Sequence, residues 1–205
     1  MMKKRFIISI GCAAICAAAL LTDASAQVAG ETIKTEQVKP REVKLDKDYD
    51  GVVDTIETYD AQGEIMKISA DTTGDGKMNE WVYYRAGKPT RAEKDTSGDG
   101  KANTFLSYDK EGALIKVETD ADGNDKIDEW IFYEKTFPVK AEKDTNGDGE
   151  ADTWLTYTQG MVVKAATDAN GDLKADEWVY YEKGKPIRAE KDTNSDGKPD
   201  TWVDY

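Results

Sequence analysis

Aspartate recurs along this chain at spacings that can hold a hard cation. Blocks opening on Asp46, Asp71, Asp95, Asp120, Asp144, Asp168 and Asp192 are separated by 25, 24, 25, 24, 24 and 24 residues. Calcium takes roughly six to eight oxygen ligands. A loop that wraps the ion can supply side chains from positions 1, 3 and 5, a carbonyl from position 7 and a further oxygen from position 9, with a glycine turn at position 6. Numbered from its first aspartate, the first block (DKDYDGVVD) offers Asp46, Asp48, Asp50 and Asp54 with the Val52 carbonyl. Glu57 stands at its position 12, where a helical calcium loop places a chelating carboxylate. The second offers Asp71, Thr73, Asp75 and Asn79 with the Lys77 carbonyl; the third Asp95, Ser97, Asp99 and Asn103 with that of Lys101. The fourth has Asp120, Asp122, Asn124 and Asp128 with Lys126, and the fifth Asp144, Asn146, Asp148 and Asp152 with Glu150. The sixth has Asp168, Asn170, Asp172 and Asp176 with Lys174, and the seventh Asp192, Asn194, Asp196 and Asp200 with Lys198.

These blocks resemble the calcium loops of FG-GAP-type repeats, in which D-x-D-x-D-G-x-x-D joins two strands. They resemble the EF-hand and dockerin loop class more loosely. The resemblance covers about nine residues per repeat, and it implies ligands at positions 1, 3, 5 and 9 with the position 7 carbonyl. Asp, Asn, Gly and Ser also fill ordinary turns by capping the local backbone. Seven blocks in phase are what favour calcium, and magnesium prefers tighter octahedral sites. Loops two and three carry only two carboxylates each, and loops four and six replace the position 6 glycine by Asp125 and Leu173. Loops one, five and seven are therefore expected to bind best.

Other chemistry is poorly supplied. The chain has no histidine, so the commonest general base and zinc ligand are missing. Its two cysteines, Cys12 and Cys16, lie in the N-terminal apolar run, and the many Asp and Glu pairs belong to the repeat. This argues against an enzyme. A formal net charge of -13 disfavours nucleic acid.

The segments between the loops must position them. Position 11 is Trp81, Phe105, Trp130, Trp154, Trp178 or Trp202 (Ile56 in the first repeat), position 12 is Val, Leu or Ile in the other six repeats, and position 14 is always tyrosine. Such short aromatic and β-branched stretches favour strands. After a turn such as DAQG or EKGK comes a second alternating stretch. There, positions -5 and -3 before the next block are mostly apolar, as in Ile115 with Val117 or Ile187 with Ala189, and position -4 is always basic. The expected fold is all-β: a repetitive antiparallel β-hairpin meander of roughly thirteen strands, coiled, sandwiched or wound as a solenoid, with the Asp-rich loops on one edge. Positions 10 and 13 alternate every second repeat (Glu80, Thr104, Glu129, Thr153; Tyr83, Ser107, Phe132, Thr156), which suggests a larger unit of about 48 residues. The aromatic column reads first as sheet core and second as a stacking platform for sugars.

The N-terminus reads as an export signal. Lys3, Lys4 and Arg5 precede an apolar run over 6–21, and Ala24-Ser25-Ala26 is a small-x-small cleavage site. Residues 1–26 are thus expected to be removed, 27–45 to form a polar linker, and 46–205 to hold the seven repeats, with no transmembrane span in the mature chain. Lipidation at Cys12 is the weaker alternative. The expected protein is periplasmic or secreted and binds calcium as a stabilised structural or interaction module, with a cell-envelope protein or glycan as partner. A carbohydrate-binding protein using the aromatic face is the second reading, and a calcium buffer the third.

Overall fold

The structure is a computed structural model that describes residues 41–205. The expected export signal, its cleavage site, Cys12 and most of the polar linker lie outside the described residues. Fourteen strands follow in chain order: β1 (Glu42–Leu45), β2 (Thr55–Tyr59), β3 (Ile65–Ala70), β4 (Glu80–Arg85), β5 (Lys88–Lys94), β6 (Thr104–Tyr108) and β7 (Leu114–Thr119), then β8 (Glu129–Glu134), β9 (Phe137–Lys143), β10 (Thr153–Thr158), β11 (Met161–Thr167), β12 (Glu177–Glu182), β13 (Lys185–Lys191) and β14 (Thr201–Asp204). They form one open antiparallel sheet in which spatial order equals sequence order. The meander is as expected, with one strand more. Residues 42–45, assigned to the linker by pattern, form β1 and pair with β2 from Glu42↔Thr58 to Leu45↔Thr55. Among the described residues no helix is long and apolar enough to cross a membrane.

Period-two alternation sorts the residues onto two faces. Positions 12 and -3 meet across every pairing, as in Val82↔Ala92, Ala92↔Leu106, Leu106↔Val117 and Val117↔Ile131. Ala92, Leu106, Val117 and Ala141 on this face are the buried hydrophobics among the described residues. Tyr108 and Tyr133 pack against them. The tryptophans occupy the opposite face, and Trp81, Trp130, Trp154 and Trp178 are only half-buried. The core reading of the aromatic column is corrected accordingly: the core is the Val/Leu/Ala row, because positions 11 and 12 must point to opposite sides of a single sheet.

The expectation that positions -5 and -3 share a face also fails. Every hairpin carries a β-bulge before the position 14 tyrosine: Ser107↔Lys116 is followed by Tyr108↔Leu114, leaving Ile115 as the extra residue. Ile115 is 42% exposed while Val117 is 7% exposed. Met66 and Ile187 sit at equivalent bulges, also largely exposed. An inserted residue breaks the period of two and sharpens the local twist.

The double repeat has two physical causes. On the core face, position 10 pairs with -1, so ionic pairs (Glu80 with Lys94 at 2.8 Å, Glu177 with Lys191 at 2.5 Å) alternate with Thr104↔Thr119 and Thr153↔Thr167. On the aromatic face, cations from both neighbouring strands lean over each large position 13 ring. Lys67 and Arg91 lie 5.1 and 4.1 Å from the Tyr83 centroid, and Lys116 and Lys140 lie 5.6 and 5.8 Å from that of Phe132. Ser107 and Thr156 fill the intervening places. Arg91, Lys116 and Lys140 also pair with position -2 glutamates, as in Arg91 with Glu93 at 3.1 Å, and Arg188 pairs with Glu190 at 2.7 Å.

Four hairpins close with two consecutive positive-φ residues, the two-residue turn that matches strand twist. Three of these end on glycine: Gly87, Gly160 and Gly184. The β8–β9 turn ends on Thr136 at φ 76°. A β-branched residue is strained there. Thr136→Gly is expected to raise stability by about 1 kcal/mol, read as a shift in the urea midpoint; an unchanged or lowered midpoint would show that the turn is not strained.

Candidate metal sites

Each Asp-rich loop joins the second strand of one hairpin to the first strand of the next, and one hydrogen-bond scheme recurs in all seven. The position 9 amide donates to the carbonyl before position 1, as in Asp152 N to Lys143 O at 2.8 Å, closing the loop. The position 1 amide donates to the position 9 carbonyl of the preceding loop, as in Asp168 N to Asp152 O at 2.8 Å. The loops therefore form a backbone-linked row along one edge, as the meander requires.

Within each loop the position 1 carboxylate is the hub. Asp71 accepts from Gly74 N at 2.8 Å and Gly76 N at 2.7 Å, and Asp95 from Gly98 N and Gly100 N, each at 2.7 Å. Aiming both amides inward needs positive φ at positions 4 and 6. Position 6 was anticipated; position 4 was not, although its glycine column (Gly74, Gly98, Gly123, Gly147, Gly171) is visible in the sequence. Asp125 and Leu173 adopt φ 66° and 67° at position 6 and still donate to Asp120 and Asp168, at 2.8 and 2.7 Å. Those loops keep the common shape despite lacking glycine, at the cost of local strain.

The remaining ligand positions are held in turn. Position 3 accepts the position 5 amide in five loops, as in Asp148 N to Asn146 Oδ1 at 2.9 Å, and position 5 accepts the position 7 amide, as in Lys77 N to Asp75 Oδ1 at 3.0 Å. Position 9 accepts the position 2 amide, as in Thr96 N to Asn103 Oδ1 at 2.9 Å. A carboxylate offers about four lone-pair sites, so these bonds organise the oxygens without exhausting them. Where acidic oxygens converge decides the fit to a divalent cation. Asp46, Asp48 and Asp50 place carboxylate oxygens within 4.8 Å of one another, and so do Asp120, Asp122 and Asp128. Loops one and four are the two with aspartate at position 3.

Loops five, six and seven form no such group of three carboxylates, and each has asparagine at position 3 (Asn146, Asn170, Asn194). In loops five and seven, threonines at positions 2 and 10 also hold the position 9 carboxylate. Asp152 accepts from the Thr145 amide and hydroxyl, each at 2.8 Å, and from the Thr153 hydroxyl at 2.9 Å; Asp200 does the same with Thr193 and Thr201. Loop four has Ala121 and Glu129 at those positions, which leaves Asp128 with backbone donors only. Glu57 does not join loop one. It lies within β2 and accepts the Tyr59 hydroxyl at 2.5 Å, an interaction that pushes the Tyr59 phenol up to about 12. A strand carries position 12 away from the loop, whereas a helix would return it.

Electrostatics separate the loops further. Desolvation pushes the Asp71, Asp95 and Asp168 carboxyls up, but the amides aimed at them hold all three below the ordinary aspartate value. For Asp152 desolvation is likewise outweighed, here by Thr145, Thr153 and the Asn146 amide, and the Thr193 hydroxyl leads in lowering Asp200. Folded values below unfolded ones add stability that is present above the unfolded value and lost as pH falls through the folded value. The chelated protein is accordingly expected to keep its circular dichroism at pH 5 and to lose it only below about pH 4. Unfolding centred near neutrality would contradict these carboxylate contacts.

A comparison of the sequence with protein-family models returns no match, and a comparison with curated proteins returns none either.

Proposed function

We propose that the chain is a calcium-binding repeat protein whose loops stabilise a one-layer sheet that serves as a structural or interaction module outside the cytoplasm. The carrying observation is the convergence of three carboxylates in loop one and three in loop four, on a scaffold that organises the remaining loops identically. A hard cation supplies the charge that such oxygens lack. A thin sheet gains most from it, since its buried apolar row is short. Catalysis is not part of the reading: the acidic groups serve the repeat, and their partners are backbone amides, hydroxyls and the Lys and Arg side chains of neighbouring strands.

Equilibrium dialysis of the folded chain against millimolar calcium tests the reading. At least two ions per chain are expected, with Asp46→Ala and Asp120→Ala each removing one. Binding of less than one ion would overturn it. Magnesium at the same concentration is expected to displace little calcium, given its preference for retained water and octahedral geometry.

A further inference from the structure

The position -2 row of the aromatic face lacks its glutamate at two places, Ser69 (between Ile56 and Trp81) and Ala166, and only the second lies between two aromatics. Register sets each position 11 aromatic beside a position -2 residue on either neighbouring strand. Glu93 lies between Trp81 and Phe105, Glu118 between Phe105 and Trp130, Glu142 between Trp130 and Trp154, and Glu190 between Trp178 and Trp202. Between Trp154 and Trp178 the residue is Ala166. Two half-buried indoles thus flank a methyl group where every other pair of aromatics flanks a glutamate.

The same substitution releases a cation. Arg91, Lys116, Lys140 and Arg188 each pair with the glutamate two residues further along the strand. Lys164 has Ala166 at that place. It makes no ion pair among the described residues and rests 5.3 Å from the Tyr180 centroid. Thr156, directly across from Lys164, is exposed.

We propose that Trp154, Ala166 and Trp178 form a subsite for one sugar ring carrying a carboxylate, a uronate residue of an acidic glycan, with Lys164 binding the carboxylate. Two strand spacings separate the tryptophan backbones by ~9.6 Å. A ring touching both indoles needs two carbon–carbon contacts, ~7–8 Å in all. The gap therefore admits one ring, and only where no glutamate fills it. The free ammonium selects a single negative charge, and the Thr156 hydroxyl offers a partner to a ring hydroxyl. The slot lies on an open sheet face, so a polymer can enter and leave it at both ends. This subsite uses none of the calcium loops and stands apart from the proposal made for them.

The test uses the full chain in millimolar calcium, with trigalacturonate as probe and its methyl ester as the neutral counterpart, by isothermal titration calorimetry. Trigalacturonate is expected to bind, and esterification to weaken it by about tenfold or more. Lys164→Gln should erase that preference, and Trp178→Ala should weaken both ligands by about tenfold or more. Ala166→Glu is the decisive variant. It installs the residue that four other repeats carry at this position, so circular dichroism and melting should show it folded, yet trigalacturonate binding should be lost. Full binding by Ala166→Glu, with every loop carboxylate intact, would mean that calcium at the loops holds the sugar and would overturn the subsite. Equal affinity for acid and ester, or no binding by the folded parent chain, would overturn it as well.

Discussion

Excess EDTA is expected to lower the melting temperature sharply relative to millimolar calcium and to expose the tryptophans further to water. The cause is charge gathered on one edge. Consecutive loops are two strands apart, ~9.6 Å, and their backbones are bonded directly, as in Asp95 N to Asn79 O at 2.9 Å. That separation is about one Debye length at ~0.1 M salt, so screening relieves the repulsion only in part. Seven ions at two charges each would offset the formal net charge of -13. With calcium at about ten times the dissociation constant, each occupied site adds about 1.4 kcal/mol by mass action. Seven independent sites would supply about 10 kcal/mol, the size of a typical domain's whole stability. Little else can replace it: the buried hydrophobics among the described residues are Ala92, Leu106, Val117 and Ala141, and no cysteine follows Cys16. Melting curves recorded by circular dichroism in the two conditions decide the matter. If they overlay, the loops are turns and the calcium reading is wrong.

Asp48→Asn is expected to weaken calcium binding at loop one by about tenfold while leaving the melting curve in EDTA unchanged or shifted upward. Asp48 belongs to the three-carboxylate group with Asp46 and Asp50. The Asp50 amide pulls its carboxyl down, but desolvation and the charges of Asp50, Asp54 and Asp46 together hold it above the ordinary aspartate value. A folded value above the unfolded one means that ionised Asp48 opposes folding at neutral pH, and that the penalty fades as pH falls through the folded value. Asparagine removes the charge and keeps the oxygen that accepts the Asp50 amide at 3.2 Å. Cation and carboxylate thus depend on each other, and the variant separates a ligand from a cap. Destabilisation in both conditions would identify Asp48 as a turn cap. An unchanged calcium isotherm would remove it from the ligand set.

Much of this protein was legible before any coordinates. A repeat of 24 or 25 residues with strand-forming stretches on either side of a turn admits little besides hairpins, and consecutive hairpins with short connections pair in order. The loop row on one edge follows from that order alone. The spacing of Asp46, Asp48 and Asp50, or of Asp120 and Asp122, likewise carries its own geometry, because a short loop has few ways to turn back on itself.

What the tertiary structure decided depends on neighbours that are distant in sequence or on a single inserted residue. A bulge at Ile115 reverses the exposure expected from strict alternation, and no local pattern marks an extra residue in a strand. The position of Glu57 depends on whether a strand or a helix follows loop one. How many donors already hold Asp152 and Asp200 depends on Thr145, Thr153, Thr193 and Thr201, whose hydroxyls reach them only once the loop has closed. The tryptophan row becomes a half-covered face because the chain forms one open layer, with the Val/Leu/Ala row taking the core. Sequence periodicity determines which residues share a face, since side chains alternate along a strand; what lies against that face depends on how many layers the chain builds, and that is settled only by long-range packing.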